Sequence, residues 1–186
     1  MTPRLAVLAS GSGSNFQAIL DATRGGRLQA EVAVLIASKP GIGAIEKAEA
    51  AGIPVAIALP DDSLADILSL HTPDRVILAG WLRLIPADVV AAYAGRILNI
   101  HPALLPRFGG PGMYGRHVHA AVIAAGEHES GCTVHEVTAA YDEGPILGQS
   151  RVAVHPDDTP DTLAARVLIH EHRLYPSIIQ THLHGR

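Results

Sequence analysis

Arg4-Leu5-Ala6-Val7-Leu8-Ala9-Ser10-Gly11-Ser12-Gly13-Ser14-Asn15-Phe16-Gln17-Ala18-Ile19-Leu20 is the stretch that decides the fold. It opens as a short apolar run, the length of a buried strand. The run stops at alternating serines and glycines over 10–15. Apolar residues then recur at helical spacing (Phe16, Ile19, Leu20) until Gly25-Gly26. The reading is strand, glycine-rich turn, helix, and the chain repeats it. Residues 31–37 form a second apolar strand, 44–51 a helix closed by Gly52, and 54–59 a third strand. Residues 61–70 suit a helix whose first turn is acidic, as the helix dipole favours. Residues 75–79 make a fourth strand, 86–93 a short helix opened by proline, and Ile97-Leu98 leads a fifth strand into Asn99. Repeated β-α-β units with near-continuous apolar strands predict an α/β fold with a doubly wound, mostly parallel sheet.

The second half has a different pattern. Residues 109–115 (Gly-Gly-Pro-Gly-Met-Tyr-Gly) read as a flexible loop, and 117–125 as a helix. Residues 132–137 and 146–154 read as an antiparallel strand pair, joined through the turn Tyr141-Asp142-Glu143-Gly144-Pro145. Thr159-Pro160-Asp161 opens a long C-terminal helix with cap, proline and acid in their preferred places. Its predicted inward stripe is Leu163, Val167, His170, Leu174 and Ile178, with a kink at Pro176 and a frayed tail over 181–186.

With 186 residues the chain is expected to fold as one domain, 1–186, with a full core. A composition 48% hydrophobic and 17% charged with net charge −4 gives no reason to expect a nucleic-acid or membrane partner. Cys132 is the single cysteine, so no intrachain disulfide forms. A reducing, cytoplasmic compartment fits that, as does the lack of a signal-peptide-like or membrane-length apolar start. Oligomeric state is not legible.

Ligands of such sheets bind beyond the carboxyl ends of the strands. Three segments fall there: the loop over 10–15, Gly80-Trp81-Leu82-Arg83, and Asn99-Ile100-His101-Pro102. Asn99 and His101 offer an amide donor and a proton-transfer group, two residues apart at a strand exit. The bland alternative is a strand-capping histidine. The loop over 10–15 presents backbone N–H groups at a helix start, which suits one phosphate monoester. It is not a dinucleotide fingerprint, because Phe16 stands where the third glycine belongs, and no Gly-Lys-Ser/Thr follows. The 11 histidines include His117/His119, His170/His172 and His182/His184, but residues two apart on a helix face different ways, so the first two pairs make no chelate. No metal site is expected. Asp142 and Glu171 could each be a solvated surface carboxylate.

Taken together, Gly11-Ser12-Gly13-Ser14-Asn15, Ala79-Gly80-Trp81-Leu82-Arg83, Asn99-Ile100-His101-Pro102-Ala103-Leu104-Leu105-Pro106 and Asp142-x-Gly-Pro resemble the folate-dependent phosphoribosylglycinamide formyltransferases of purine synthesis. The resemblance runs in order from residue 4 to about 180 and implies a Rossmann-like formyltransferase fold. It implies transfer of the formyl group of 10-formyltetrahydrofolate, as co-substrate, to the amine of a phosphoribosyl glycinamide, with no metal. By the same resemblance, Gly13, Ser14 and Asn15 would hold the phosphate. Leu168, Ile169, His170 and Glu171 would face the ribonucleotide, Glu171 nearest its ribose or amine. Leu82, Arg83, Leu84 and Ile85 would line the pterin pocket, with Thr138, Ala139, Ala140, Tyr141 and Asp142 as its other wall. Asn99 and His101 would meet the formyl oxygen, Asp142 would pair with His101, and His135 would lie nearby without being essential. A carboxylate beside His101 should raise its pKa above about 6.5.

Two departures stand out. The arginine that commonly reaches the folate before the fourth strand is missing from the acidic segment at Asp61-Asp62, and the loop over 109–115 is long. A formyltetrahydrofolate hydrolase would share Asn99, His101 and Asp142, but usually carries an extra N-terminal domain. A transfer-RNA formyltransferase would need a basic surface and a further C-terminal domain. A sugar-nucleotide formyltransferase would lack the phosphate loop. A plain phosphate-binding module leaves Asn99, His101 and Asp142 unexplained.

Overall fold

The computed structural model describes residues 1–185. The apolar runs become strands β1 (Arg4–Ala9), β2 (Glu31–Ala37), β3 (Val55–Ile57), β4 (Arg75–Leu78) and β5 (Ile97–His101), all parallel. Strands β6 (Glu129–Glu136) and β7 (Ile146–Ala153) extend the sheet antiparallel, in the order β3-β2-β1-β4-β5-β6-β7. Because strand side chains alternate, β1 sends Leu5, Val7 and Ala9 into one core and Ala6 and Leu8 into the other. Helices α1 (Ser14–Arg24), α2 (Gly43–Ala50), α5 (Arg116–Ala124) and α6 (Pro160–His184) cover the first face. Helices α3 (Leu64–His71) and α4 (Ala87–Ala92) cover the second. The chain winds outward from β1 to β3, then returns to β4 beside β1. That reversal leaves a crevice at the carboxyl ends of β1 and β4. Ser10 N–H donates to the Gly80 carbonyl across it at 3.1 Å.

Several elements differ from the sequence reading. Helix α3 starts at Leu64, because the Ser63 hydroxyl caps it by accepting from Asp66 N–H. Asp62 instead closes a turn, accepting the Leu59 N–H at 2.7 Å. Strand β3 is only three residues long, and β6 starts three residues before Cys132. Helix α6 passes through Pro176 as one element and does not fray at Thr181. Thr181 Oγ1 donates to the Ser177 carbonyl, Leu183 packs on the core, and Arg75 Nε donates to His182 Nδ1. Its buried stripe is Leu163, Val167, Glu171, Tyr175 and Ile179, not the predicted set. Leu174 and Ile178 pack at its edge.

Tyr175 matters for the site. Its buried hydroxyl is shared between the carbonyls of Leu78, at the end of β4, and Leu98, near the start of β5, at 3.0 and 2.9 Å. Tyr175→Phe is expected to cost about 1–2 kcal/mol, since buried carbonyls lose a donor. Urea denaturation would read this as a lower midpoint with an unchanged slope.

Candidate active site

Loops leaving β1, β4, β5 and β6 meet helices α5 and α6 around one cavity of about 560 Å³. At one end lie Ser14 and Asn15 of α1 with Leu168 and Glu171 of α6. Gly13 precedes α1 at φ +75°, and no side chain caps the helix. The first-turn N–H groups of Ser14, Asn15 and Phe16 have no protein acceptor among the described residues. Only glycine fits at 13: a Cβ there would stand 2.7 Å from Ala44 Cα. The Asn15 side chain does not join this group; its Nδ2 donates to Glu171 Oε2 at 2.6 Å. Glu171 is 7% exposed, and burial raises its pKa while the Asn15 bond opposes the shift. The free amide oxygen of Asn15 is buried and unpartnered among the described residues.

Leu168 and Glu171, three residues apart, share the cavity face of α6. Ile169 and His170 are rotated away and do not line the cavity: Ile169 is exposed, and His170 Nδ1 meets Ser150 Oγ at 2.7 Å. Thus His170 is neither on the packed stripe nor facing the ligand space.

The other end is lined by Leu82, Arg83, Leu84 and Ile85 on one side and Thr138, Ala140, Tyr141 and Asp142 on the other. Ala139 lies outside the lining. Leu82, Leu84 and Tyr141 are exposed apolar side chains at its rim. Arg83 stacks over Trp81 at 4.5 Å and donates to the Ala58 carbonyl at 2.7 Å, which fixes its guanidinium beyond β3.

Between the two ends stand Asn99, His101 and Asp142. Thr133 anchors the loop after His101: its hydroxyl donates to the Ala103 carbonyl and accepts the Leu105 N–H. Phe108, at φ +56°, aims its carbonyl at His101 Nε2, 2.7 Å away. A carbonyl only accepts, so Nε2 carries hydrogen. His101 Nδ1 then faces Asp142 Oδ2 at 3.5 Å, and His135 Nε2 lies 3.4 Å from Asp142 Oδ1. The loop over 109–115 has a definite role here. Gly110 N–H donates to Asp142 Oδ2 at 2.9 Å, and a Cβ on Gly109 would stand 3.2 Å from Asp142 Cβ. Burial pushes Asp142 up, but its polar surroundings, the Gly110 N–H among them, outweigh it and hold the carboxyl below its ordinary value.

The expected upward shift of His101 is reversed. Its imidazole is 4% exposed, and burial lowers its pKa by more than Asp142 and the Phe108 carbonyl restore. His119 of α5, also lining the cavity and buried, is lowered by burial and by His101. Sequence reasoning missed His119. Its place between Val118 and Val122 on the buried face of α5 was the only signal.

Among the described residues no helix is long and apolar enough to cross a membrane. The family model described as formyl transferase matches residues 3–179. The chloroplastic phosphoribosylglycinamide formyltransferase of Arabidopsis thaliana is 45% identical over 186 residues, 95% of this chain and 64% of that protein. The chain therefore spans less than two thirds of that relative, and 60% of a second plant protein, from Vigna unguiculata. The phosphoribosylglycinamide formyltransferase of Escherichia coli (strain K12) is 38% identical, with 98% of this chain and 88% of that protein covered. Among solved structures, glycinamide ribonucleotide transformylase 1 from Symbiobacterium toebii superposes with TM-score 0.93 at 40% identity, covering 100% of this chain and 89% of that one.

Proposed function

Because the chain belongs to the formyl transferase family, in its phosphoribosylglycinamide formyltransferase branch, we propose that it moves the formyl group of 10-formyltetrahydrofolate to the amine of N1-(5-phosphoribosyl)glycinamide. The products are the formylglycinamide ribonucleotide and tetrahydrofolate, in purine biosynthesis. The observation that carries the reading is the two-ended cavity with Asn99, His101 and Asp142 at its middle. An enzyme using water as acceptor, the formyltetrahydrofolate hydrolase alternative, has no use for the Ser14-Asn15-Glu171 end.

At that end, the free N–H groups of the first turn of α1 hold the phosphate dianion, aided by the helix dipole. Glu171 and the free Asn15 oxygen face the ribose. Leu82, Leu84, Ile85 and Tyr141 enclose the flat pterin, and Arg83 faces the carboxylate-bearing side. Asn99 supplies an N–H where negative charge collects on the formyl oxygen as the amine attacks. His101, kept neutral by burial, has a lone pair at Nδ1. It takes the proton released by the amine, and Asp142 and the Phe108 carbonyl then stabilise the imidazolium. The same proton passes to the departing folate nitrogen, directly or through water, so the transfer closes with no net proton change. No metal or side-chain nucleophile takes part. The chain works as one formyltransferase unit, in a cytoplasmic setting, on small-molecule substrates.

Two measurements at one end of the cavity test this reading. The ribonucleotide should bind far more tightly than its dephosphorylated analogue. Gly13→Ala should raise KM for the ribonucleotide roughly tenfold, in line with a strained backbone position of about 1–3 kcal/mol, and leave KM for formyl-folate nearly unchanged. A larger effect on folate would place the phosphate elsewhere.

A further inference from the structure

We propose that His135 is a positioning residue that decides which edge of the Asn99 amide faces the reacting carbonyl. The inference rests on the formyl-transfer reading above. Antiparallel pairing of β5 and β6 sets His135 directly opposite Asn99. The imidazole is 2% exposed, so protein neighbours fix both ring nitrogens. His135 Nδ1 lies 2.8 Å from the Glu136 carbonyl oxygen. That oxygen only accepts, so Nδ1 carries the hydrogen, and in the neutral ring Nε2 has only a lone pair. Nε2 stands 3.0 Å from Asn99 Nδ2. A lone pair needs a donor, so the NH2 edge of the amide meets the ring. One of its two hydrogens is used there, and the other remains for the cavity that Asn99 lines.

The opposite tautomer reverses this. A hydrogen on Nε2 would require the amide oxygen, turning the NH2 edge away from the ring. It would also set the bare Nδ1 against the Glu136 carbonyl. Asp142 Oδ1, 3.4 Å from Nε2, is the acceptor that competes for such a hydrogen. The backbone carbonyl of Glu136 therefore orients Asn99 through His135, and this relay keeps an N–H aimed at the formyl oxygen. A phenylalanine in its place keeps the ring volume and removes the lone pair. A glutamine keeps an acceptor oxygen at similar reach.

The decisive experiment pairs two readouts. In protein labelled with 15N-histidine at pH 8, the His135 ring should show hydrogen on Nδ1 and a bare Nε2. His135→Phe should lower kcat about tenfold, less than loss of the Asn99 donor itself, with KM for both substrates within about twofold. His135→Gln should recover most of that loss. A hydrogen on Nε2 overturns the proposal, and so does a phenylalanine variant with kcat within twofold of the parent. If that variant does not fold, the ring tautomer alone decides. A parent protein that transfers no formyl group to the ribonucleotide would instead sink the formyl-transfer reading, a different result from a wrong tautomer.

Discussion

Asp142→Asn is expected to lower kcat by roughly a hundredfold, within the usual range for general acid–base groups. The substitution keeps the side-chain shape, and its oxygen can still accept the Gly110 N–H. What it removes is the charge that makes a proton on His101 tolerable. The sign follows from the site. Burial lowers the His101 pKa and Asp142 partly restores it, so deleting the carboxylate moves His101 further down. NMR titration of the His101 ring should therefore show its midpoint shifted to lower pH in the variant. The imidazolium formed as the amine attacks becomes costlier, and turnover falls while KM changes little. In the parent protein the rate should decline toward acid, as His101 and the substrate amine both gain protons. His101→Ala should lose at least as much as Asp142→Asn. The double variant should lose little more, because the pair acts as a unit. Near-normal turnover in Asp142→Asn with an unmoved His101 midpoint would make Asp142 a turn residue only.

Asn99→Ala is expected to cost about 3 kcal/mol in the transition state, on the order of a hundredfold in kcat. In the proposed reaction the amide stands where charge develops and is used little by the bound substrates, so KM should stay within a few-fold. Asn99→Asp should be worse, because it sets a negative acceptor against a developing negative oxygen. Asn99 is only half-buried on β5. Removing its amide should leave the thermal midpoint within a few degrees, which separates catalysis from folding. A rise in KM with kcat unchanged would reassign Asn99 to ground-state binding.

Much of this architecture is legible in local patterns. The apolar runs at Leu5, Val34, Ile77 and Leu98 are too short for helices and too continuous for a half-exposed sheet, so a parallel sheet follows. The strand exits then converge on one edge, and the structure places Ser14, Asn15, Arg83, Asn99, His101 and Asp142 around one cavity there. What was not legible depends on long-range packing. On α6, Leu163 and Val167 fit two helical phases, one burying His170 and Leu174, the other Glu171 and Tyr175. The structure takes the second, because the Tyr175 hydroxyl reaches two strand carbonyls and Glu171 meets Asn15 across the molecule. The reversed shift of His101 had the same origin. A nearby carboxylate can be inferred from motif spacing, but the burial that overrides it arises only once the chain has folded. The expected fray at Thr181 failed for the same reason: Arg75 Nε reaches His182 Nδ1 and Leu183 packs on the core, contacts that carry α6 on to His184.

The formyl group is expected to go to the ribonucleotide amine and not to water. The direct measurement follows the carbon itself. With 13C-formyl tetrahydrofolate and the glycinamide ribonucleotide, the label should appear as a formamide on the ribonucleotide, and folate should be released only when that acceptor is present. Label recovered as formate, at the same rate with and without the ribonucleotide, would contradict the account and make the protein a hydrolase.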